Sequence, residues 1–494
     1  MKVNLAGYNL DSTVIEELKK SSPDRADVTP ETLSAAYARI SRDPRPIDEL
    51  RKAARQEVEK ARKSNQAIIF KMGHHSVAEH AVFNFDVIGV SRLAIEAIEH
   101  FRLCSFTEKS QRYITLGDDY VMPEEIKTSN VAKEFRSMIK VQNDFYQKAY
   151  EKLKEHVFKK HAGLAKNEKN FNLLDGWAKE DARYITSLAT QGQLGLTLNA
   201  RNLELMVRRF ASSAYSEVRQ IGQEIYNLAK AVAPSIILFT AANDYDSRTY
   251  QDIKDIEGIK FGKNIKGIKD IKEAQLISFT ENGDDILVSA LLHSTSNLSF
   301  NDCRRSVKKM STAKKKDIVK TACRHMEFYD ANLREFEYPN LIYDIVMSAS
   351  CFAQMKRHRT ATITAQDYDP SLGVTIPQAI QEVKLEKEFR EILCRTEDLY
   401  YEMEPKLGIF SQYILTNAHR LRILLGVNAR ELYHISRFRE DEHAQWDIRE
   451  VSSEMSKLAK KVMPLTMMLI GGKDKYPEIY KRVFGILPKI TPPS

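Results

Sequence analysis

The chain has 494 residues, 43% hydrophobic and 29% charged, with a formal net charge of +8 from 75 basic and 67 acidic side chains. That length exceeds what one ordinary core needs, and the composition is that of a soluble globular protein, which excludes disordered and collagen-like classes. No run of about 18 uncharged apolar residues occurs, MKVNLAGYNLDSTVIEE lacks the apolar core of a secretory signal, and Cys104, Cys303, Cys323, Cys351 and Cys394 are scattered and odd in number, so a cytoplasmic protein is expected, with no membrane span, disulfide scaffold or CxxC metal site.

In chain order, KVNLAGYN (2–9) reads as a short strand. GHHSVAEHAVFNF (73–85) clusters His75, Glu79 and His80. Their spacing fits neither HExxH nor HxxEH and no cysteine lies near, so a polar turn before a strand is favoured over a metal site. FNFDVIGV (83–90) is β-branched, aromatic and partly alternating, which predicts that strand. SFTEKSQRY (105–113) is expected to be a polar loop whose hydroxyl, amide and guanidinium groups suit a phosphate or a nucleobase edge. NARNLELMVRRF predicts a helix, and residues 239–271, punctuated by Lys and Gly, read as a polar linker.

AQLISFTEN (274–282) opens a second unit with a strand and a turn. RRSVKKMSTAKKK (304–316) carries much of the basic excess and is expected as a solvated helix or loop. It has no interleaved aromatics, so nucleic acid is not the expected partner. Ile342, Ile345, Ala349, Phe352 and Lys356 recur at helical spacing, predicting a helix that ends just before Arg357, His358 and Arg359. Those three side chains suit the negative pole of a helix, and the two guanidiniums equally suit phosphate. HAQWDIREVSSEMSKLAKKV (443–462) predicts a further helix.

Two long segments echo each other. LGLTLNARNLELMVRRF (194–210) resembles RILLGVNARELYHISRF (422–438), and YNLAKAVAPSIILF (226–239) resembles SKLAKKVMPLTMML (456–469). A period of that length means two copies of a domain and not a solenoid. The expected class is α+β, with two tandem domains, each a mixed β-sheet backed by helices: 1–238, then the linker 239–271, then 272–494.

These motifs resemble the flavin-dependent thymidylate synthases, the ThyX family. Its hallmark is Arg-His-Arg, a Ser, a gap and Ser-x-Arg-Tyr, with Gly-His-x-Ser/Thr-x-x-Glu-His upstream and Asn-x-Arg…Arg…His-x-Gln-Trp downstream. Here the match is divided. The first copy keeps GHHSVAEH and SFTEKSQRY but reads His100-Phe101-Arg102 at the triplet. The second keeps Arg357-His358-Arg359, preceded by Gln354, but reads Asp367-Tyr368-Asp369 where Ser-x-Arg belongs. Arg183 matches a nucleotide-contacting arginine whose counterpart is Gln412, whereas Arg439 matches a second substrate arginine whose counterpart is Phe210.

The resemblance implies reductive methylation of dUMP at C5, with methylenetetrahydrofolate as carbon donor, FAD as the redox group and NADPH as its reductant. It implies a composite site from both copies and a homodimer equivalent to a four-domain assembly. On the same ground Glu108, Ser110, Gln111, Arg112, Arg183, Gln354 and Arg439 would bind the nucleotide, with Arg439 and Gln354 at the base. His74, Ser76, Arg357, His358, Arg359, Asn428, Arg430 and His434 would hold the flavin, Asn199 and Arg201 being equivalent to Asn428 and Arg430. Plainer roles stay open: Asn199 and Asn428 as helix caps, Gln445 and Trp446 as packing residues. So do another uridine nucleotide, uracil in RNA, and a binding protein without turnover.

Overall fold

A computed structural model describes residues 1–18, 20, 27–40, 43–112, 114–256 and 274–491. β1 (Lys2–Tyr8), β2 (Val82–Ser91), β3 (Cys104–Glu108) and β4 (Gln191–Asn199) form one sheet in the order β1-β2-β4-β3. β5 (Ala274–Phe279), β6 (Asn340–Ser348), β7 (Thr362–Ala365) and β8 (Arg420–Asn428) form a second, in the order β5-β6-β8-β7. The α+β class and the duplication therefore hold. Within each sheet, however, every pairing is antiparallel, not mixed.

Alternation drives the central strands. In β2, Phe83, Phe85 and Val87 are buried while Asn84 and Asp86 face out, the period-2 pattern of a half-covered sheet. The sheets differ by one residue here. The β2–β4 register slips between Ile88 and Val90, where Gly89 adopts φ +70°, and the β6–β8 register has no such slip. Gly89 is thus the inserted residue of a β-bulge, at a backbone conformation open to glycine at little cost.

The helix predicted over 342–356 is strand in its first half and helix in its second. Leu341, Tyr343 and Ile345 are fully buried on one face of β6, and only Ala349–Met355 is helical, with Lys356 as its cap. The β-branched content of Ile342, Ile345 and Val346 and the pairing to β8 outweigh the fortuitous three-residue spacing. Strand gives way to helix at Ser348, whose hydroxyl accepts from the Cys351 amide at 3.0 Å and donates to Asp447 at 2.5 Å. Ser91 makes the same corner in the first copy, accepting from Ala94 at 3.0 Å and donating to Glu217 at 2.6 Å. Each serine N-caps its helix and ties it to the long helix Ser216–Val232 or Trp446–Val462.

Other expectations are refined. The start of SFTEKSQRY is β3, paired to β4 with Glu108 opposite Leu194, and Tyr113 lies outside the described residues. Part of the predicted linker is a helix, Asp244–Lys254, capped by Asn243 and fixed by Asp246 to Arg208 at 3.0 Å; residues 257–271 lie outside the described ones. The basic stretch forms two helices, Phe300–Lys308 and Thr312–Cys323, capped by Ser299 and Ser311.

The compact units cut the chain differently from the repeat: one comprises Met1–Lys263 with Val383–Leu415, the other Asn264–Glu382 with Thr416–Ser494. In the first, the helix Glu386–Leu407 packs on the helix Ala132–Lys160, with Phe145 and Phe389 edge to face at 5.7 Å. Buried Gln142 donates to Thr396 Oγ1 at 3.0 Å and to the Ile414 carbonyl at 3.1 Å, and Tyr413 donates to Glu217 at 2.7 Å. Hydrogen-bonded buried polar groups of this kind fix the register of the helix pair, because leaving one unmatched costs about 1–3 kcal/mol. Among the described residues no helix is long and apolar enough to cross a membrane.

Candidate functional site

In the first unit, polar residues gather where the helix Arg92–Glu99 leaves β2 and β3 ends beside β4. Arg92, 2% exposed, has Nη2 3.4 Å from Glu96 Oε1 and Nη1 3.7 Å from Glu108 Oε1. Past β3 the chain turns. Lys109 donates its amide to the Gln193 carbonyl, Ser110 Oγ accepts from the Arg112 amide at 3.2 Å, and Gln111 is buried. Arg112 Nε donates to Glu180 Oε2 at 2.9 Å. Glu180 sits on the helix Phe171–Ala182, and Arg183, directly after that helix, is buried. Burial pulls the Arg183 guanidinium down to about 10, the nearby charges of Arg112 and Arg92 pulling the same way against Tyr184 and Glu180. A desolvated cation crowded by like charges gains from an incoming anion, and that is the chemistry this cluster supports.

In the second unit the helix Ala349–Met355 carries Gln354, and the chain then turns so that His358 is buried, Arg357 half-buried and Arg359 exposed. Arg439, on the helix Ala429–Arg439, donates from Nε to His358 Nε2 at 2.9 Å and from Nη2 to the Gln354 carbonyl at 2.9 Å. A guanidinium only donates, so Nε2 accepts and the proton sits on Nδ1, 3.7 Å from Glu431 Oε1. Burial, then the charges of Arg439 and His434, hold His358 well below its ordinary value, consistent with a neutral ring. Gln354 Nε2 donates to Gln445 Oε1 at 2.5 Å, while Gln354 Oε1 and His358 Nδ1 are buried without a hydrogen-bond partner. His434 packs edge to face on His358 at 5.5 Å. Partial desolvation and the Arg439 and Arg437 charges lower its pKa.

The remaining candidates make contacts of other kinds. His74 and Ser76 are exposed at the turn preceding β2, where Gly73 takes φ +76° and the helical turn His75–His80 begins. His75 packs on Phe70, His80 on Tyr37, and Glu79 pairs with Arg201 at 2.5 Å. Asn199 and Asn428 are N-caps: each side-chain oxygen accepts from a backbone amide, Asn202 at 3.0 Å and Glu431 at 2.8 Å. Arg430 donates to the Asn332 carbonyl at 2.7 Å and pairs with Glu337 at 2.8 Å.

Sequence reasoning missed Arg92, Glu96, Glu180 and Glu431, and left Gln445 as packing. Arg92 had a legible signal, a cation in the first turn of a helix, where the dipole disfavours it. Glu180 stands three residues before Arg183, but only folding shows that its partner is Arg112.

The strand registers equate the copies residue by residue: Glu108 opposes Leu194 where Ala365 opposes Ile423, and Ser91 opposes Gln191 where Ser348 opposes Arg420. In that alignment Gln354, His358, Arg439 and Gln445 stand where the first copy has Ala97, Phe101, Phe210 and Tyr215. Conversely, Arg92, Glu96, Glu108, Arg112, Glu180 and Arg183 stand where the second has Ala349, Ala353, Ala365, Asp369, Ile409 and Gln412. Each copy carries one polar cluster and has different, mostly apolar, residues at the positions of the other.

The pattern of the thymidylate synthase complementing protein family matches residues 26–235 and again 275–465. A flavin-dependent thymidylate synthase of Clostridium tetani is 30% identical over 215 residues, 43% of this chain and 82% of that protein. Another, from Geobacter sulfurreducens, is 30% identical over 173 residues, 34% of this chain and 65% of that protein. Tandem-length matches include a UPF0159 protein of Thermoplasma acidophilum, 20% identical over 448 residues, 80% of this chain and 86% of its own. The named synthases therefore align over less than half of this chain, and the longer relative over most of it.

Proposed function

The chain belongs to the thymidylate synthase complementing protein family, and from that premise we propose that it is a flavin-dependent thymidylate synthase whose active site is divided between its two copies. The first copy would supply the nucleotide half and the second the flavin-facing half. The reciprocal loss of the two clusters carries this proposal. Decay without selection would strike both clusters in either copy, whereas here every lost position has its polar counterpart retained in the other copy.

Arg183 and Arg112 would bind the phosphate or ribose of dUMP, the first driven by desolvation that an anion relieves. Glu108, Ser110 and Gln111 would orient the nucleotide without covalent attack. In the second copy Arg439, held by His358 and by the Gln354 carbonyl, would polarise a uracil carbonyl as negative charge builds on the ring, the preorganised donor such a step needs. The residues present fit a flavin. Arg357 and Arg359 follow a helix whose Gln354 Oε1 is buried without a hydrogen-bond partner, and forked cations of this kind take a pyrophosphate. His74 and Ser76 would join them, while Asn428, Arg430 and His434 would brace the helix behind. When bound, the flavin supplies the reducing equivalents, with NADPH as their source, and methylenetetrahydrofolate supplies the carbon. A homodimer and a cytoplasmic setting, in keeping with five free cysteines, complete the proposal.

Tritium release from [5-³H]dUMP, with FAD, NADPH and methylenetetrahydrofolate, tests it. The expected result is release by the wild type and loss of about 10²-fold or more in both Arg112→Ala and Arg359→Ala. No release from protein that carries flavin would overturn dUMP as substrate and point to another uracil-bearing one. The second reading is a nucleotide- or flavin-binding protein without turnover; dUMP binding without flavin and without release would establish it.

A further inference from the structure

Arg92 has no part in the sequence-based site, yet it is among the most deeply buried charges of the first copy, 2% exposed. Its position is unfavourable on two counts. It occupies the first turn of the helix Arg92–Glu99, where the partial positive charge of the helix terminus opposes a cation. It is also removed from water, which is costly for a guanidinium unless partners compensate. Among its partners are two carboxylates, Glu96 at 3.4 Å and Glu108 at 3.7 Å, drawn from its own helix and from the end of β3.

The second copy is an internal control for a structural role. There the same corner, with Ser348 capping the helix and donating to Asp447, is built with Ala349, Ala353 and Ala365 at the three positions. The corner needs none of these charges. They are present only in the copy that keeps Arg112 and Arg183, and the Arg92 charge acts on the Arg183 guanidinium.

We infer that Arg92 is a positioning residue of the nucleotide half-site: it holds the Glu108 carboxylate, at the last residue of β3, so that Glu108 accepts an N–H or O–H from the bound uridine nucleotide. The inference rests on the function proposed above and adds to it a residue that touches no substrate. Glu108 sits one residue from the turn that carries Ser110, Gln111 and Arg112, and a carboxylate anchored from behind by a buried guanidinium presents its oxygens at a fixed angle.

Arg92→Ala, Arg92→Lys and Glu108→Gln, together with the double variant Arg92→Ala/Glu108→Gln, test this by dUMP titration calorimetry and steady-state tritium release. Ala349 shows that alanine is compatible with the corner, and a thermal melt of each variant checks folding. Arg92→Ala should raise both Kd and KM for dUMP about tenfold or more, with kcat changed less than about threefold and flavin content unaltered. Arg92→Lys should recover part of the loss. Adding Arg92→Ala to Glu108→Gln should add little, because Arg92 acts through Glu108. Values for Arg92→Ala within twofold of the wild type, or a fully additive double variant, would overturn the positioning role while leaving the synthase proposal intact. Wild-type protein that binds no dUMP would remove both.

Discussion

At one position of the fold the two copies make opposite choices. The second copy sets His358 against Arg439 at 2.9 Å, with Gln354 and Gln445 alongside; the first sets Phe101 against Phe210, rings edge to face at 5.6 Å, with Ala97 and Tyr215 at the matching places. The backbone frame is the same, down to the capping serine and the carboxylate that receives its hydroxyl. One frame thus holds either an apolar plug or a buried polar network. The plug is the more stabilising filling, since aromatic burial gains free energy whereas the polar network leaves Gln354 Oε1 and His358 Nδ1 buried without hydrogen-bond partners. Retention of the network in one copy only means that something other than stability keeps it there.

The comparison is broken most directly by truncating the same position in each copy. Phe210→Ala should cost about 3–5 kcal/mol of stability, the range for a buried aromatic, and Gly222, whose absent Cβ leaves room for the Phe210 side chain, offers no side chain to fill the cavity. Arg439→Ala should instead lower kcat/KM about 10²–10³-fold, the usual effect of deleting a preorganised donor. Urea unfolding and tritium release measure the two. A stability loss at Arg439 matching that at Phe210, with activity kept, would make the network a structural device.

Protonation sharpens the contrast. His358 is held below its ordinary value of 6.5 by burial and by the Arg439 and His434 charges. The unfolded chain therefore binds a proton that the folded corner refuses. The contribution of His358 is fully present above pH 6.5 and is lost as pH falls below it, at up to about 1.4 kcal/mol per pH unit. Hydrogen exchange corrected for intrinsic rates should show residues 349–359 opening more readily at pH 5.5 than at pH 7.5. Residues 92–102, with Phe101 at the equivalent place, should change less, and His358→Gln should flatten the response.

The smallest effect is expected where the copies agree. Asn199→Ala and Asn428→Ala each remove one N-cap bond and should each cost about 1 kcal/mol by denaturant unfolding. Markedly unequal costs, or a loss of flavin from only one of the two variants, would assign the more sensitive asparagine a role beyond capping.

Much of this was legible in the chain itself. The echo of NARNLELMVRRF in NARELYHISRF, the alternation of FNFDVIGV and the complementary fates of the Arg-His-Arg and Ser-x-Arg positions declare a duplicated α+β domain with divided polar residues, because periodicity and residue chemistry are local properties. Tertiary structure decided what depends on neighbours distant in sequence. Pairing with β8 made a strand of residues read as helix, and Gly89 became a bulge only against β4. The helix Glu386–Leu407 joined the unit built on the first copy through Gln142 and Phe389. Arg92, unremarked as a letter in the sequence, acquired meaning when β3 brought Glu108 to it, since a buried charge is defined by the partners that the fold delivers and not by the residues beside it in the chain.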